Sequence, residues 1–547
     1  MAVLPAGVGA GDFAKVLQEF GSAVGSQWVF SSPEDMDLYR DAYSIVWGEP
    51  QERRASAAVA PENVEQVQAV VRIANKFKVP IYAISTGRNL TYGGSAPNYT
   101  GSVVVDLKRM NKIISVDDRR NFAVVEPGVS YFDMYRHIQE KGLKVWIDCP
   151  DPGWGSLMGN ALDHGIGYTY GVYRDHFGAH CGMEVVLANG EVMRTGMGAL
   201  PKATSWQDYR YGYGPYVDGL FAQGNFGIVT KMGFWMLPQP ENYLSGMVMV
   251  PRYRDLTALI DQVNYLEDSG LIAPPGYFSP AGGGLFGPPD PKLKDLMANG
   301  WPSDDALEAF AKNKNAACWG ASLAMLGPAA TVQGTWDYIK QRIGGAISGA
   351  TFKDGETLKF PLTPEQQAKF PHRVAVGIPN MEVYSLVTRS PINNPADPPF
   401  GHADFTCVIS RTGESVFEAQ RAFYEAFTEF GVPSQIGPFS GPITWHQRTF
   451  IMGPIIWTYR DAERNKKARA LFNHLIDMAA SHGWAEYRTA PVFQDRLAAQ
   501  FSFADHSLLR FTEALKDAAD PNGILSPGRG GIWPKHLRAS QKGRQNL

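Results

Sequence analysis

A glycine-rich turn, TGRNLTYGG (86–94), runs directly out of a short apolar segment, IYAIS (81–85). A turn of this kind presents several backbone N–H groups at once. With Arg88 inside it, the segment can cradle a pyrophosphate without the helix N-terminus of a Rossmann motif. The nearest approach to a conventional dinucleotide fingerprint is Gly9-Ala10-Gly11-Asp12-Phe13-Ala14. No strand precedes it, and Asp12 would stand where the pyrophosphate belongs, so it is set aside. His176 and His180 have the i, i+4 spacing of a helical metal pair. Gly178 lies between them, however, and no glutamate fills the catalytic slot; a structural or cofactor-contacting role is expected, and no metal. A G-x-S-x-G elbow is missing, which argues against hydrolase chemistry on an α/β scaffold.

The elements that must position the turn are legible in the flanking pattern. Pro61-Glu62-Asn63 opens a helix whose apolar positions Val64, Val67, Val70, Val71 and Ala74 recur with a period near 3.6, ending before Val79-Pro80. Residues 101–107, 111–117 and 122–128 are short β-branched runs closed by turn signals. Residues 129–141 predict an amphipathic helix with Phe132, Tyr135 and Ile138 on its apolar stripe. Residues 183–196 predict a hairpin turning at Asn189-Gly190. A further helix is expected over 505–519. After Pro238-Gln239-Pro240 the texture changes to longer helical segments and loose Gly/Pro stretches, and it reverts near 484. Three stretches are therefore expected: 1–238, 239–483 and 484–547.

The composition suits a large globular protein. Of 547 residues, 44 % are apolar and 19 % charged, which excludes a disordered or fibrous chain. Lys plus Arg total 51 against 54 Asp plus Glu, so the basic excess of a nucleic-acid binder is lacking and no such partner is expected. The four cysteines (Cys149, Cys181, Cys318 and Cys407) form no C-x-x-C pair, and reduced thiols are expected. The opening run has no basic start, and no stretch reaches the ~20 apolar residues of a membrane span. A soluble cytoplasmic protein is the expectation.

Five further segments, each glycine-dense, follow the turn in order: 126–138, 150–178 (PDPGWGSLMGN…), 183–196, 221–238 (FAQGNFGIVTKMGFWMLP) and DPNGILSPGRGG near the C-terminus. Together they resemble the vanillyl-alcohol oxidase / p-cresol methylhydroxylase family of flavoproteins over nearly the whole chain. The resemblance implies an α+β fold: an FAD-binding domain built from both chain ends, with an inserted cap domain over the flavin. It implies hydride abstraction from para-substituted phenols through a p-quinone methide. The phenolate would be held by Tyr92 in the TYGG turn and by Tyr487 and Arg488 in AEYRT. Loss of hydride from the side-chain carbon para to the hydroxyl requires an ionised phenolic oxygen, which a fixed guanidinium and two phenolic donors stabilise.

The same resemblance places the active-site acid at Asp151 rather than Asp148, as base for water or for an alcohol proton. It makes His402, in PPFGHADF, the residue that bonds FAD covalently, although Asp404 stands where an apolar strand residue is expected. His446 would line the substrate pocket. Thr86, Gly87, Arg88, Asn89, Met158, Gly159, Asn160, Gly224, Asn225, Ile228 and Arg529 would contact the cofactor. Reoxidation by molecular oxygen, giving hydrogen peroxide, is the first expectation and a c-type cytochrome the second; YRTAPVFQDR leans toward the hydroxylase branch. A homodimer or larger assembly is expected. The rival reading in the same fold is an FAD enzyme of a 2-hydroxy acid or sugar, which needs no phenolate trio.

Overall fold

The computed structural model describes residues 3–150, 152–169, 171–273, 281, 290–369, 373–382, 399–433, 436–442 and 444–541. A four-stranded sheet near the N-terminus carries, in order across it, Val29–Phe30, Ala57–Val59, Val103–Asp106 and Ile81–Ile84. The last three run parallel, and the crossover helix Val64–Phe77 buries Val67, Val70, Val71 and Ala74. Asn63 caps that helix by accepting from the Gln66 amide, as the Pro-Glu-Asn opening predicts. The glycine-rich turn therefore leaves the carboxyl end of a parallel strand, the usual place for a ligand in a sheet of this kind.

A five-stranded antiparallel sheet follows, ordered Ile113–Asp117, Phe122–Val125, Gly227–Trp235, His180–Leu187, Val192–Arg194. Its outer hairpin turns at Asn189-Gly190, with Gly190 at φ 81° and a Leu187 amide bonded to Glu191 O at 2.9 Å. One expectation is corrected here. The helix Tyr131–Lys141 buries Tyr131, Met134 and Ile138, not the stripe through Phe132 and Tyr135. A capping box between Ser130 and Asp133 fixes the phase of the first turn, so the i, i+3, i+7 set starting at Tyr131 faces inward. Phe132 and Tyr135 flank it half-buried, and Tyr135 Oη donates to Gln367 Oε1 at 3.0 Å.

Beyond residue 240 the strand Asn242–Val250 lies between Trp319–Gly327 and Thr351–Lys359. A four-stranded sheet then combines Thr444–His446, Thr449–Met452, Cys407–Ser410 and Ala485–Glu486, while Gly401–Asp404 pairs with Ile455–Thr458. One hydrophobic core gathers Trp319, Trp336, Phe423, Phe450 and Phe472, and takes in Phe493. Two others lie in the first half of the chain, and the C-terminal Ile524 and Leu525 join the first of these. The helix Phe503–Ala519 covers the expected 505–519, but Ala504, Asp505 and His506 are left-handed within it. Among the described residues no helix is long and apolar enough to cross a membrane.

Lys516 locks the C-terminal segment in place. It is fully buried, and its Nζ donates to Asn225 O at 2.5 Å, to Asp520 Oδ2 at 2.7 Å and to Leu525 O at 2.7 Å. Three acceptors satisfy all three protons of the ammonium, which is what makes a buried lysine tolerable.

Candidate active site

The glycine-rich turn closes on itself: Asn89 O accepts from the amides of Tyr92 at 3.3 Å and Gly94 at 2.9 Å. Gly87 is held at φ 68°, and a Cβ there would overlap Ser95 Oγ, so only glycine fits. Arg88 lies over the Trp154 ring with its guanidinium carbon 4.6 Å from the centroid. Facing the turn is the short helix Leu157–Leu162, capped by Ser156 onto the Gly159 amide. Gly159 backs so closely against Ser85 that a Cβ would overlap its Oγ.

These pieces wall a cavity of about 300 Å³. Thr86, Gly87, Arg88, Asn89, Met158, Gly159, Asn160, Gly224, Ile228, Arg529, His402, Tyr92 and Arg488 all line it. Asn225 does not: its amide nitrogen donates to Ser526 O and Ile532 O at 3.3 and 3.0 Å, tethering the C-terminal segment from behind the wall. Tyr487 lies under Arg488 rather than on the wall, and His446 stands beyond it, 5.8 Å from the Tyr487 ring. Asp151 lies outside the described residues. The alternative carboxylate, Asp148, is buried and accepts from Tyr168 N, Thr169 N and Thr169 Oγ1.

The two histidines of the i, i+4 pair have separate buried tasks. His176 Nε2 is 3.0 Å from Asp148 Oδ1, and its Nδ1 is 2.6 Å from Asn160 Oδ1, so it braces a residue of the cavity wall. His180 Nε2 meets Asp218 Oδ2 at 3.1 Å. Among the described residues no His/Cys/Asp/Glu group could hold a metal ion.

Tyr92, Tyr487 and Arg488 converge from opposite ends of the chain. The guanidinium carbon of Arg488 is 4.2 Å from the Tyr92 ring centroid and 5.0 Å from that of Tyr487. The local backbone explains why. Cys407 pairs with Glu486 across two strands, Tyr487 N donates to Thr406 O at 3.3 Å, and Thr406 Oγ1 donates to Arg488 O at 3.1 Å. Gln223 Nε2 adds a bond to Tyr487 O at 2.9 Å. Burial pushes both phenols well above their ordinary range, with Asp404 reinforcing and Arg488 opposing. For Arg488 burial works against the cation, but Tyr487, Tyr92 and Asp163 outweigh it and hold the charge. The cluster is thus one permanent cation between two protonated phenols, an arrangement whose charge complements a negative oxygen.

Two residues matter here beyond those the sequence singled out for the site. Asp404 lines the cavity, two positions from His402 on one strand and therefore on its face; Oδ1 lies 3.6 Å from His402 Nε2. Period-two spacing from His402 was the available signal. Asp163 pairs with Arg529 and accepts from Asn89 Nδ2 at 2.7 Å; no local pattern marks it.

The wall suits a flavin dinucleotide. Backbone of the turn and two Cβ-intolerant glycines leave room for close approach of a pyrophosphate, with Arg88 beside it. At the other end, buried His402 Nδ1 and Arg488 Nε have no hydrogen-bond partner among the described residues, an expensive arrangement that a bound polar ring system would relieve. His402 is steadied by Tyr43 and Trp457, with ring centroids 5.3 and 5.9 Å away.

Comparison with known proteins agrees. Residues 55–196 match the profile of a family described as an FAD binding domain. The chain is 33 % identical over 535 residues to the 4-cresol dehydrogenase [hydroxylating] flavoprotein subunit of Pseudomonas putida, spanning 97 % of this chain and 98 % of the relative. Among solved structures, p-cresol methylhydroxylase with substrate bound matches with a TM-score of 0.78 at 32 % identity, covering 97 % of this chain and 99 % of that one. A 4-ethylphenol oxidase from Gulosibacter chungangensis, as its isoeugenol complex, gives the same TM-score of 0.78 and 32 % identity, covering 98 % and 100 %.

Proposed function

The chain belongs to the vanillyl-alcohol oxidase / p-cresol methylhydroxylase family of flavoproteins, and from that premise we propose that it is an FAD-dependent oxidase of para-substituted phenols. The substrates in view are 4-hydroxybenzylic alcohols and 4-alkyl- or 4-allylphenols of the kind lignin releases. The observation that carries this reading is the meeting of Tyr92, Tyr487 and Arg488, of which Tyr92 and Arg488 line one end of the cofactor cavity and Tyr487 packs behind Arg488.

FAD, when bound, supplies the hydride acceptor. Arg88, Asn89 and the 86–94 backbone would hold its pyrophosphate, with Arg529 and the 157–162 helix along its length. Arg488 fixes the substrate's phenolate oxygen electrostatically, and the two tyrosines donate to it because burial keeps their protons on. With the oxygen ionised, loss of a hydride from the para side chain leaves a neutral p-quinone methide. Asp151 is assigned the base that directs water to it or removes an alcohol proton, and His446 the far wall of the pocket. His402 is assigned the covalent bond to the cofactor. Oxygen, yielding hydrogen peroxide, is the proposed electron acceptor, in line with the relative that is a 4-ethylphenol oxidase. A c-type cytochrome is the second reading, favoured by the relative that is a flavoprotein subunit. The proposed domain division is an FAD domain from 1–238 and 484–547 with a cap from 239–483.

Anaerobic mixing of the yellow protein with vanillyl alcohol and with 4-ethylphenol tests this. Bleaching of the flavin absorbance, followed by stoichiometric peroxide on admitting air, is the expected result. An unbleached spectrum with a panel of 4-substituted phenols retires the phenol reading; bleaching without peroxide moves the acceptor to a cytochrome.

A further inference from the structure

On the other side of the Tyr487–Arg488 pair is a second cavity, of about 290 Å³. Its apolar walls come from two successive helices. Leu497, Ala498 and Phe501 follow the helix Gln494–Gln500 and its exit, and Leu508, Leu509 and Thr512 follow the helix Phe503–Ala519. Both triplets have the i, i+1, i+4 spacing of a single helix face. Two such faces ordinarily interlock at crystal-like density. Here they stand apart, and the connection between them turns left-handed at Ala504, Asp505 and His506, with φ 48°, 55° and 56°. Such a conformation is disfavoured for L-residues, and it falls where the two faces separate.

The inner end of the gap is polar. Glu486, Tyr487 and Arg488 close it, and among the described residues buried Glu486 Oε2 has no hydrogen-bond partner. Burial, with Asp404 nearby, raises the Glu486 carboxyl well above its usual range, so the wall offers a neutral acid beside a cation. The outer end opens at Phe501 and Leu508, 50 % and 61 % exposed. Arg488, Gln223, Asp163 and Arg529 each face both cavities. One polar end and an otherwise apolar sleeve match a flat apolar molecule carrying a single hydroxyl.

We propose that this cavity is a second phenol-binding site, an antechamber in which the para-substituted substrate is held against the outer side of Arg488 before it enters the cofactor cavity. The inference rests on the reading of the protein as a phenol oxidase and adds an entrance that this reading does not require.

The four native cysteines are buried, so Ala498→Cys supplies an accessible thiol inside the antechamber. The rate of its labelling by N-phenylmaleimide is followed in the full-length holoprotein against rising 4-ethylphenol, with ethylbenzene as the analogue lacking the hydroxyl. Saturable protection of at least about fivefold by 4-ethylphenol, and weaker protection by ethylbenzene, is expected from a site with one polar contact. Labelling unaffected by 4-ethylphenol overturns the site. Leu509→Trp, which fills the sleeve, is expected to lower kcat/KM by about tenfold or more while kcat stays within about twofold; an unchanged kcat/KM overturns the entrance. Protection without flavin bleaching upholds the site and sinks the phenol-oxidation reading, whereas bleaching without protection does the reverse.

Discussion

The Arg488 guanidinium rests 4.2 Å from the centre of the Tyr92 ring, with Asp404 and Asp163 close enough to influence the group electrostatically. Tyr92 comes from a turn that leaves a parallel strand and Arg488 from a strand end in another sheet, so their contact ties the two halves of the site together. A cation seated on one phenol ring and beside another is held in place by the protein itself, so the receptor proposed for the phenolate is preorganised.

Arg488→Ala is expected to lower the rate of anaerobic flavin bleaching by 4-ethylphenol by about a hundredfold or more, the scale for removing a dedicated charge-stabilising group. Tyr92→Phe removes one donor and is expected to cost about tenfold to a hundredfold. Thermal melts of both variants establish that folding is kept. Full bleaching rates in both would remove Tyr92 and Arg488 from the phenolate-binding role.

His402→Ala tests the covalent bond separately from turnover. Wild-type protein denatured in acid and run on a gel is expected to show flavin fluorescence on its band, and the variant none, with FAD still bound in the native state. A fluorescent variant band would remove His402 from that role.

Gly87→Ala places a methyl against Ser95 Oγ at a left-handed backbone position. The cost is about 1–2 kcal/mol in the turn alone, and the turn is the proposed pyrophosphate cradle. The expected outcome is purified protein with a markedly reduced flavin-to-polypeptide absorbance ratio and unchanged far-UV circular dichroism.

Burial lowers the His446 pKa to about 4; Asp175 opposes that shift, while Arg174, His164 and Arg488 add to it. The folded protein holds this imidazole neutral, whereas the unfolded chain protonates it near a histidine's ordinary 6.5. Above 6.5 neither state takes up a proton there, so the group is neutral to stability. Between 6.5 and about 4 the unfolded state gains the proton first, and stability falls as pH falls, by up to about 1.4 kcal/mol per pH unit. His446→Gln is expected to flatten that acid-side slope in urea melts recorded at pH 7.5, 6 and 5.

Lys516→Met leaves Asp520 buried without its counter-charge and empties three backbone and side-chain acceptors. Breaking such a pair costs about 3–5 kcal/mol, and a lowered melting temperature with earlier loss of flavin is expected.

Much of the nucleotide half was readable from the residues. Asn63 and the valine periodicity located the crossover helix, Asn189-Gly190 the hairpin, and the strand-to-turn junction at 85–86 a wall of the cavity, because each is a local signal. The stripe of the Tyr131–Lys141 helix was misread because Phe132 outweighs Met134 in bulk, whereas the capping box at Ser130 decides the phase. The convergence of Tyr92 with Tyr487 and Arg488 was reached through family resemblance alone; strand pairing between Cys407 and Glu486 is a long-range fact that no window of sequence contains. Asp163 and Glu486 went unnoticed as site residues for the same reason.

The tether at Lys516 has a consequence for how the cofactor cavity is put together. Its walls are drawn from Tyr43 through to Arg529, and the Lys516 ammonium joins Asn225 to Leu525 across that span. No single stretch of chain carries the receptacle by itself. It closes only once segments far apart in the chain have met, and loosening this one junction would free the prosthetic group while most of the hydrophobic interior stays condensed.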